Sequence, residues 1–192
     1  MLRIGLDFDG VVHDVTGVKQ RYARDAHGLD LGRADVWPPL VHDYLTVAEH
    51  AELVRVSHLT PLSGEREAMA GALEAIVRLA REHELFIITA RTDEEAHLAR
   101  EWLRVLGLPL RAVHHTSGAS KLSVCRAVGV SLLLDDSPRV TREVSQPDVQ
   151  AVLFSTPYND GEELPAEACS VADWPSFVAL CEMAAELAPA SR

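Results

Sequence analysis

Residues 2–10 read Leu-Arg-Ile-Gly-Leu-Asp-Phe-Asp-Gly, an alternating stretch that ends in two carboxylates and a glycine. Side chains alternate along a strand, so Ile4, Leu6 and Phe8 share one face and Arg3, Gly5 and Asp7 the other. The pattern predicts a strand over 2–8, closed by Asp9-Gly10. Working outward, two more apolar runs end in polar groups: 85–89, followed by Ala90-Arg91, and 130–134, followed by Asp135-Asp136-Ser137. Weaker strands are expected over 111–115 and 149–154. Helical spacing predicts a long amphipathic helix from an N-cap at Ser63 to about His83, then helices over 94–106, over 120–128 ending at Gly129, and from a cap at Asp173 through Leu187. Strands alternating with helices of this length argue for an α/β fold, a Rossmann-like parallel sheet covered on both faces. In such sheets sites form outside the carboxyl ends of the strands.

The texture changes over 14–60, which is polar, rich in His and Asp, and without strand alternation. It is broken at Trp37-Pro38-Pro39 and expected to be helical on both sides, which makes it an insertion after the first strand. The core then comprises 1–13 and 61–192. A chain of 192 residues holds one such core with a small insertion.

Eighteen Lys and Arg against 29 Asp and Glu leave a formal charge of −11, with no basic run, so a nucleic-acid polymer is not an expected partner. An acidic protein can still handle phosphate if a divalent cation reverses the potential locally. Cys125, Cys169 and Cys181 contain no CxxC pair and indicate neither a disulfide framework nor a zinc site. No stretch approaches the ~20 apolar residues of a membrane span, so the expected setting is cytoplasmic, without a membrane partner. The nine histidines show no ligand spacing and are read as structural. His13 and Asp14 are exceptions, placed where they would touch a substrate or hinge the cap.

If the strands are parallel, their polar ends meet in one crevice. The residue types suit phosphoryl transfer through an aspartyl phosphate. Asp7 is the candidate nucleophile. Asp9 is the candidate acid and base, a task for a carboxyl of raised pKa. Gly10 admits close approach of the backbone to phosphate. Thr89 offers a hydroxyl to a phosphoryl oxygen, and Lys121 a fixed positive charge. Mg²⁺ is the expected cofactor, its ligands drawn from Asp7, Asp9, Asp135 and Asp136, with Asp7 and one of the tandem pair sufficing. Gly10 and Ala90 are the expected substrate contacts. Each residue alone has a plainer reading: D-x-D as the solvent face of a strand, Asp135-Asp136 as turn acids before Pro138, Thr89 as a strand former, Lys121 as a solvated helix residue. Only the ordered set lifts them. Arg91 has two readings, a ligand of substrate phosphate or a structural partner of Glu94 or Glu95 on the next helix, and the structural one is preferred.

DFDGV, IITAR, Lys121 and LLLDDSP, in that order, resemble the four-part signature of the haloacid dehalogenase superfamily. The second aspartate of the first motif resembles the phosphatases rather than the halide-removing members. Within the superfamily the chain looks like the cytosolic 5′(3′)-deoxyribonucleotidase group and its bacterial relatives. PLSGEREAM, GASKLSVCRAVGV, LFSTPYN and the insertion after the first motif carry that likeness along nearly the whole chain. The resemblance implies a Mg²⁺-dependent phosphomonoesterase whose partner is a small phosphate ester, a nucleoside 5′-monophosphate, with a helical cap over the phosphate site; a homodimer is compatible with it. Individual base-binding residues in the cap do not match the family pattern. Tyr22, Trp37 and Tyr44 are the candidates to stack on a base. The alternatives are a phosphatase for another small ester, a receiver-like signalling module that also uses an aspartyl phosphate, and a catalytically silent binding protein.

Overall fold

In the computed structural model, which describes residues 1–62 and 64–187, six parallel strands form one sheet. They are β1 (Arg3–Leu6), β2 (Glu84–Thr89), β3 (Ala112–His115), β4 (Leu132–Asp135), β5 (Gln150–Phe154) and β6 (Cys169–Val171), in the order β3-β2-β1-β4-β5-β6. The first strand is thus central, with β2 on one side and β4 on the other. Strand order reverses between β1 and β4, and a crevice opens there beyond the carboxyl ends. Leu6 lies opposite Leu134 in that pairing, and the Asp7 amide donates to the Leu134 carbonyl at 2.9 Å.

Both faces of the sheet are buried, as parallel sheets require. Ile4, Leu6, Phe8, Leu132 and Leu134 join one cluster with Trp102, Trp174 and Phe177. Phe86, Ile88, Leu133 and Ala151 join the opposite one. The alternation expected of the first strand holds. Gly5 faces the second cluster, where a Cβ would come within 2.9 Å of Leu133.

Between β1 and β2 lie α1 (Val15–His27), a 3₁₀ turn at Leu40–Asp43 and α2 (Val47–Leu59), which bear out helix on both sides of the Trp37-Pro38-Pro39 break. Asp14 caps α1, accepting from the Gly17 amide at 3.1 Å, and Thr46 with Glu49 forms a capping box on α2. The insertion carries its own apolar cluster of Ala23, Leu31, Val36, Val41, Leu45 and Leu53.

The remaining helices are α3 (Ala72–Leu79), α4 (Asp93–Val105), α5 (Lys121–Val128), α6 (Pro138–Val144) and α7 (Trp174–Leu187). The long helix expected from Ser63 is instead a 3₁₀ turn at Glu65–Glu67 followed by the short α3, and Ser63 lies outside the described residues. Tertiary pairing overrides the helical spacing here. The Asp14 amide donates to the Glu67 carbonyl and the Met69 amide to the Val12 carbonyl, both at 2.8 Å, while Gly71 turns the chain at φ +80°. Two elements, α6 and β6, lie outside the pattern that the sequence predicts. In α6 a proline at the first turn and a cap at Ser137 are the signals that were present; β6 has three residues and too little pattern to register.

Candidate active site

The site forms at the crevice between β1 and β4. Asp7 follows β1, Asp135 ends β4, Asp136 follows it, and Lys121 opens α5. Lys121 Nζ lies 2.7 Å from Asp7 Oδ1 and 2.7 Å from Asp135 Oδ2. Asp7 Oδ1 also accepts from the Phe8 amide at 2.7 Å, and Asp135 Oδ1 from the Ser137 amide at 2.9 Å. These bonds fix the two carboxylates rigidly. Among the described residues no donor engages the other oxygen of Asp7, and the residue lines the pocket above.

Asp7, Asp135 and Asp136 each place a carboxylate oxygen within 4.8 Å of the others. Burial pushes the Asp7 carboxyl well above its ordinary value, against the pull of Lys121. Burial, and next the neighbouring Asp135, push Asp136 up to about 7 even though the Tyr158 hydroxyl donates to it. Lys121 is held above its ordinary value: desolvation alone would lower it, but Asp135 and Asp7 outweigh burial. Three buried hard-oxygen donors with a single ammonium between them fit a small divalent cation such as Mg²⁺.

Asp9 stands apart from this cluster. Its carboxylate accepts two bonds from Arg91, Nε to Oδ2 and Nη2 to Oδ1, each at 2.8 Å, and His13 Nδ1 lies 2.9 Å from Oδ1. Burial alone would raise its pKa, yet Arg91 and the His13 hydrogen bond hold it well below the usual carboxylate range. This is the reverse of the raised value that the sequence suggested for a proton donor. Arg91 is buried over the Phe8 ring, and its Nη1 donates to the backbone carbonyls of His58 at 3.1 Å and Glu95 at 3.2 Å. Its expected side-chain partners Glu94 and Glu95 are not its partners: Glu95 Oε2 accepts from the Thr92 amide in the capping box of α4.

Gly10 adopts φ +82°, and a Cβ there would lie 2.0 Å from Asp136 Oδ2. A bare backbone at this position is what leaves room for the Asp136 carboxylate. Thr89 and Ala90 line the same pocket, of about 450 Å³, together with Asp7, Asp9, Arg91 and Asp136. Of the three aromatic candidates only Trp37 reaches it. Tyr22 packs edge-on to His27 within the insertion, and Tyr44 is exposed. Tyr158, within the LFSTPYN stretch, also lines the pocket, and no local sequence pattern marks it. Its ring stacks on Trp37 at 4.3 Å between centroids and its hydroxyl reaches Asp136, so it joins insertion to core across the pocket wall. His13 lies fully buried against Phe8 and Trp102, behind Asp9 rather than at the mouth, while Asp14 caps α1 and pairs with Arg33 at 2.6 Å.

Strand order, helical insertion and a carboxylate cluster at the switch point together define a haloacid dehalogenase-like fold, and the resemblance carried by the four motifs holds in three dimensions. A haloacid dehalogenase-superfamily hydrolase of Geobacter sulfurreducens superposes with a TM-score of 0.55 at 21% identity, covering 94% of this chain and 99% of that one. A Bacillus subtilis protein described as a hydrolase of the same superfamily and crystallised with magnesium gives 0.59 at 12% identity, covering 93% and 97%. In sequence, a curated protein of Oceanobacillus iheyensis with a provisional nucleotidase name is 25% identical over 112 residues, 56% of this chain. The match spans only 58% of that relative's length. No family model matches the chain. Among the described residues no helix is long and apolar enough to cross a membrane.

Proposed function

We propose that the chain is a Mg²⁺-dependent phosphomonoesterase that works through an aspartyl phosphate on Asp7, with a nucleoside monophosphate as substrate. One observation carries this reading: Asp7, which lines the pocket beside the candidate cation-binding carboxylates, has one oxygen pinned by Lys121 and the Phe8 amide and, among the described residues, no donor on the other. A nucleophile needs that geometry, fixed in direction and free at the attacking atom.

In the first half-reaction Asp7 attacks phosphorus, the ester P–O bond breaks, and the departing oxygen takes a proton from Asp9. In the second, water attacks the aspartyl phosphate, Asp9 accepts its proton, and inorganic phosphate and free Asp7 are left. Ionised Asp9 suits the second half directly. For the first half it must gain the proton that Arg91 disfavours, so the Asp9–Arg91 pair loosens before the leaving group departs. Lys121 neutralises Asp7 and a phosphoryl oxygen, and Thr89 donates its hydroxyl to another. Asp7, Asp135 and Asp136 would hold the magnesium ion, which when bound would supply positive charge to offset the phosphate dianion. The insertion over 14–60 acts as the cap.

The nucleotide assignment is supported by the aromatic wall of Trp37 and Tyr158 and by the nucleotidase name of the Oceanobacillus relative. Phosphate release should be measured across a panel of nucleotides and small phosphate esters, with and without Mg²⁺. Nucleoside monophosphates are expected to lead the panel, and Asp7→Asn to lower turnover by on the order of 10⁴-fold or more. Undiminished activity in that variant would remove Asp7 from its role; a preference for a non-nucleotide ester would leave the mechanism and change the substrate.

A receiver-like module is disfavoured by strand order. Receivers place the strands 2-1-3-4-5, whereas here the first five run 3-2-1-4-5.

A further inference from the structure

Two consecutive residues of the segment after β5 hold Asp136 at two points. Asn159 is only 3% exposed, and its side-chain amide is engaged at both ends: Nδ2 donates to the backbone carbonyl of Asp136 at 2.8 Å and to that of Phe154 at 2.9 Å, while Oδ1 accepts from the Thr156 amide at 2.8 Å. The Tyr158 hydroxyl donates to Asp136 Oδ2, and its ring is backed by the stack on Trp37.

The pairing of β4 with β5 ends where Asp135 lies opposite Leu153. The carbonyls of Asp136 and Phe154 therefore stand one residue beyond the ladder, and Asn159 supplies a donor to each. A staple between two strand ends would need that much. Neither stapling nor packing explains the hydroxyl, since a phenylalanine would fill the same space and stack on Trp37 as well. Its partner is a carboxylate of the Asp7, Asp135 and Asp136 cluster. Asp7 and Asp135 are each tied by Lys121 and by a nearby backbone amide. Among the described residues Asp136 has neither tie, and Tyr158 and Asn159 stand in their place. Carboxylates that ligate a cation depend on hydrogen bonds of this kind to fix their direction, and losing one weakens metal binding by roughly 10- to 100-fold.

We infer that Tyr158 and Asn159 are positioning residues that set Asp136 as a ligand of the divalent cation: Asn159 fixes the main chain of Asp136 just past β4, and Tyr158 fixes the direction of its carboxylate. The inference rests on the Mg²⁺-dependent reading of this site. It gives the LFSTPYN stretch a task in cation binding, and through the Trp37 stack it links the insertion to the hold on Asp136.

The probe is Mg²⁺ alone, titrated calorimetrically without substrate into the wild-type chain, Tyr158→Phe and Asn159→Ala, with thermal melting in the absence of metal followed in parallel. Both variants are expected to bind Mg²⁺ on the order of 10-fold more weakly. Tyr158→Phe keeps the ring and its stack and should melt close to wild type, so its loss of affinity is one that a merely structural tyrosine would not show. Asn159→Ala should melt lower as well, because two carbonyls and an amide lose their partner. If Asn159→Ala does not fold, Tyr158→Phe decides. Mg²⁺ affinity within about twofold of wild type in Tyr158→Phe, or in folded Asn159→Ala, would overturn the inference, and Mg²⁺-dependent phosphate release by the wild type would leave the phosphatase reading intact. A wild-type chain that neither binds Mg²⁺ nor needs it to release phosphate would overturn both.

Discussion

Gly10 shows how narrowly a single position can be set. Its left-handed backbone costs an L side chain about 1–2 kcal/mol, and a methyl there would sit 2.0 Å from a carboxylate oxygen of Asp136. Gly10→Ala is therefore expected to displace Asp136, and the Mg²⁺ concentration for half-maximal activity should rise by roughly tenfold or more, read from a metal titration of phosphate release. Lys19 is buried on α1 with its ammonium 3.2 Å from the centroid of the Trp37 ring, and burial lowers its pKa, so the pH dependence follows from the sign of the shift. The folded value of about 8 lies below the ordinary 10.5, so between the two the unfolded chain holds a proton that the folded chain has lost, and stability rises with pH across that window. The penalty is complete below pH 8 and gone above 10.5. Lys19→Met should melt above wild type at pH 7, with the difference closing as pH approaches 10.5; a constant difference would contradict the shift.

Among the elements, α1 opens the insertion after β1, and its start is fixed by Asp14, which accepts from the Gly17 amide and pairs with Arg33. The ion pair is partly exposed and adds little. The cap matters more: Asp14→Ala should cost about 1 kcal/mol and lower the melting temperature by about 2–4 °C. Thr92 and Glu95 cap α4 just after Arg91, so the helix that follows the arginine is held at its first turn. Elements whose ends bear their own caps, such as α5 between Ser120 and Gly129, were legible in the sequence within a residue or two. The segment before α3 was not, because its backbone bonds go to residues 12 and 14, more than fifty positions away, and local periodicity holds no record of that pairing.

At the scale of the whole molecule, the strand order gathers the candidate site. Only when β1 and β4 are neighbours at the reversal do Asp7, Asp135 and Asp136 meet, and only then does Lys121 at the head of α5 reach two of them. The motifs at the strand ends announced this gathering, because polar groups that close apolar strands have few structural uses. What they could not announce were partners set by three-dimensional folding alone. The Arg91–Asp9 pair spans 82 positions and the Tyr158–Asp136 bond 22. The cation–π contact of Lys19 with Trp37 lies within the insertion, where no periodic pattern points. The net charge of −11 bears on the proposal: the molecule as a whole repels anions, so a phosphate site of the kind proposed would need Lys121 and a divalent cation to invert the potential locally. The most direct measurement of the central claim is acid quenching of the enzyme during turnover with Mg²⁺ and a reactive phosphate ester, followed by peptide mass spectrometry. A phosphoryl group on Asp7, absent from Asp7→Asn, is the predicted result; phosphate release by wild type with the label on another residue, or by Asp7→Asn at the wild-type rate, would contradict it.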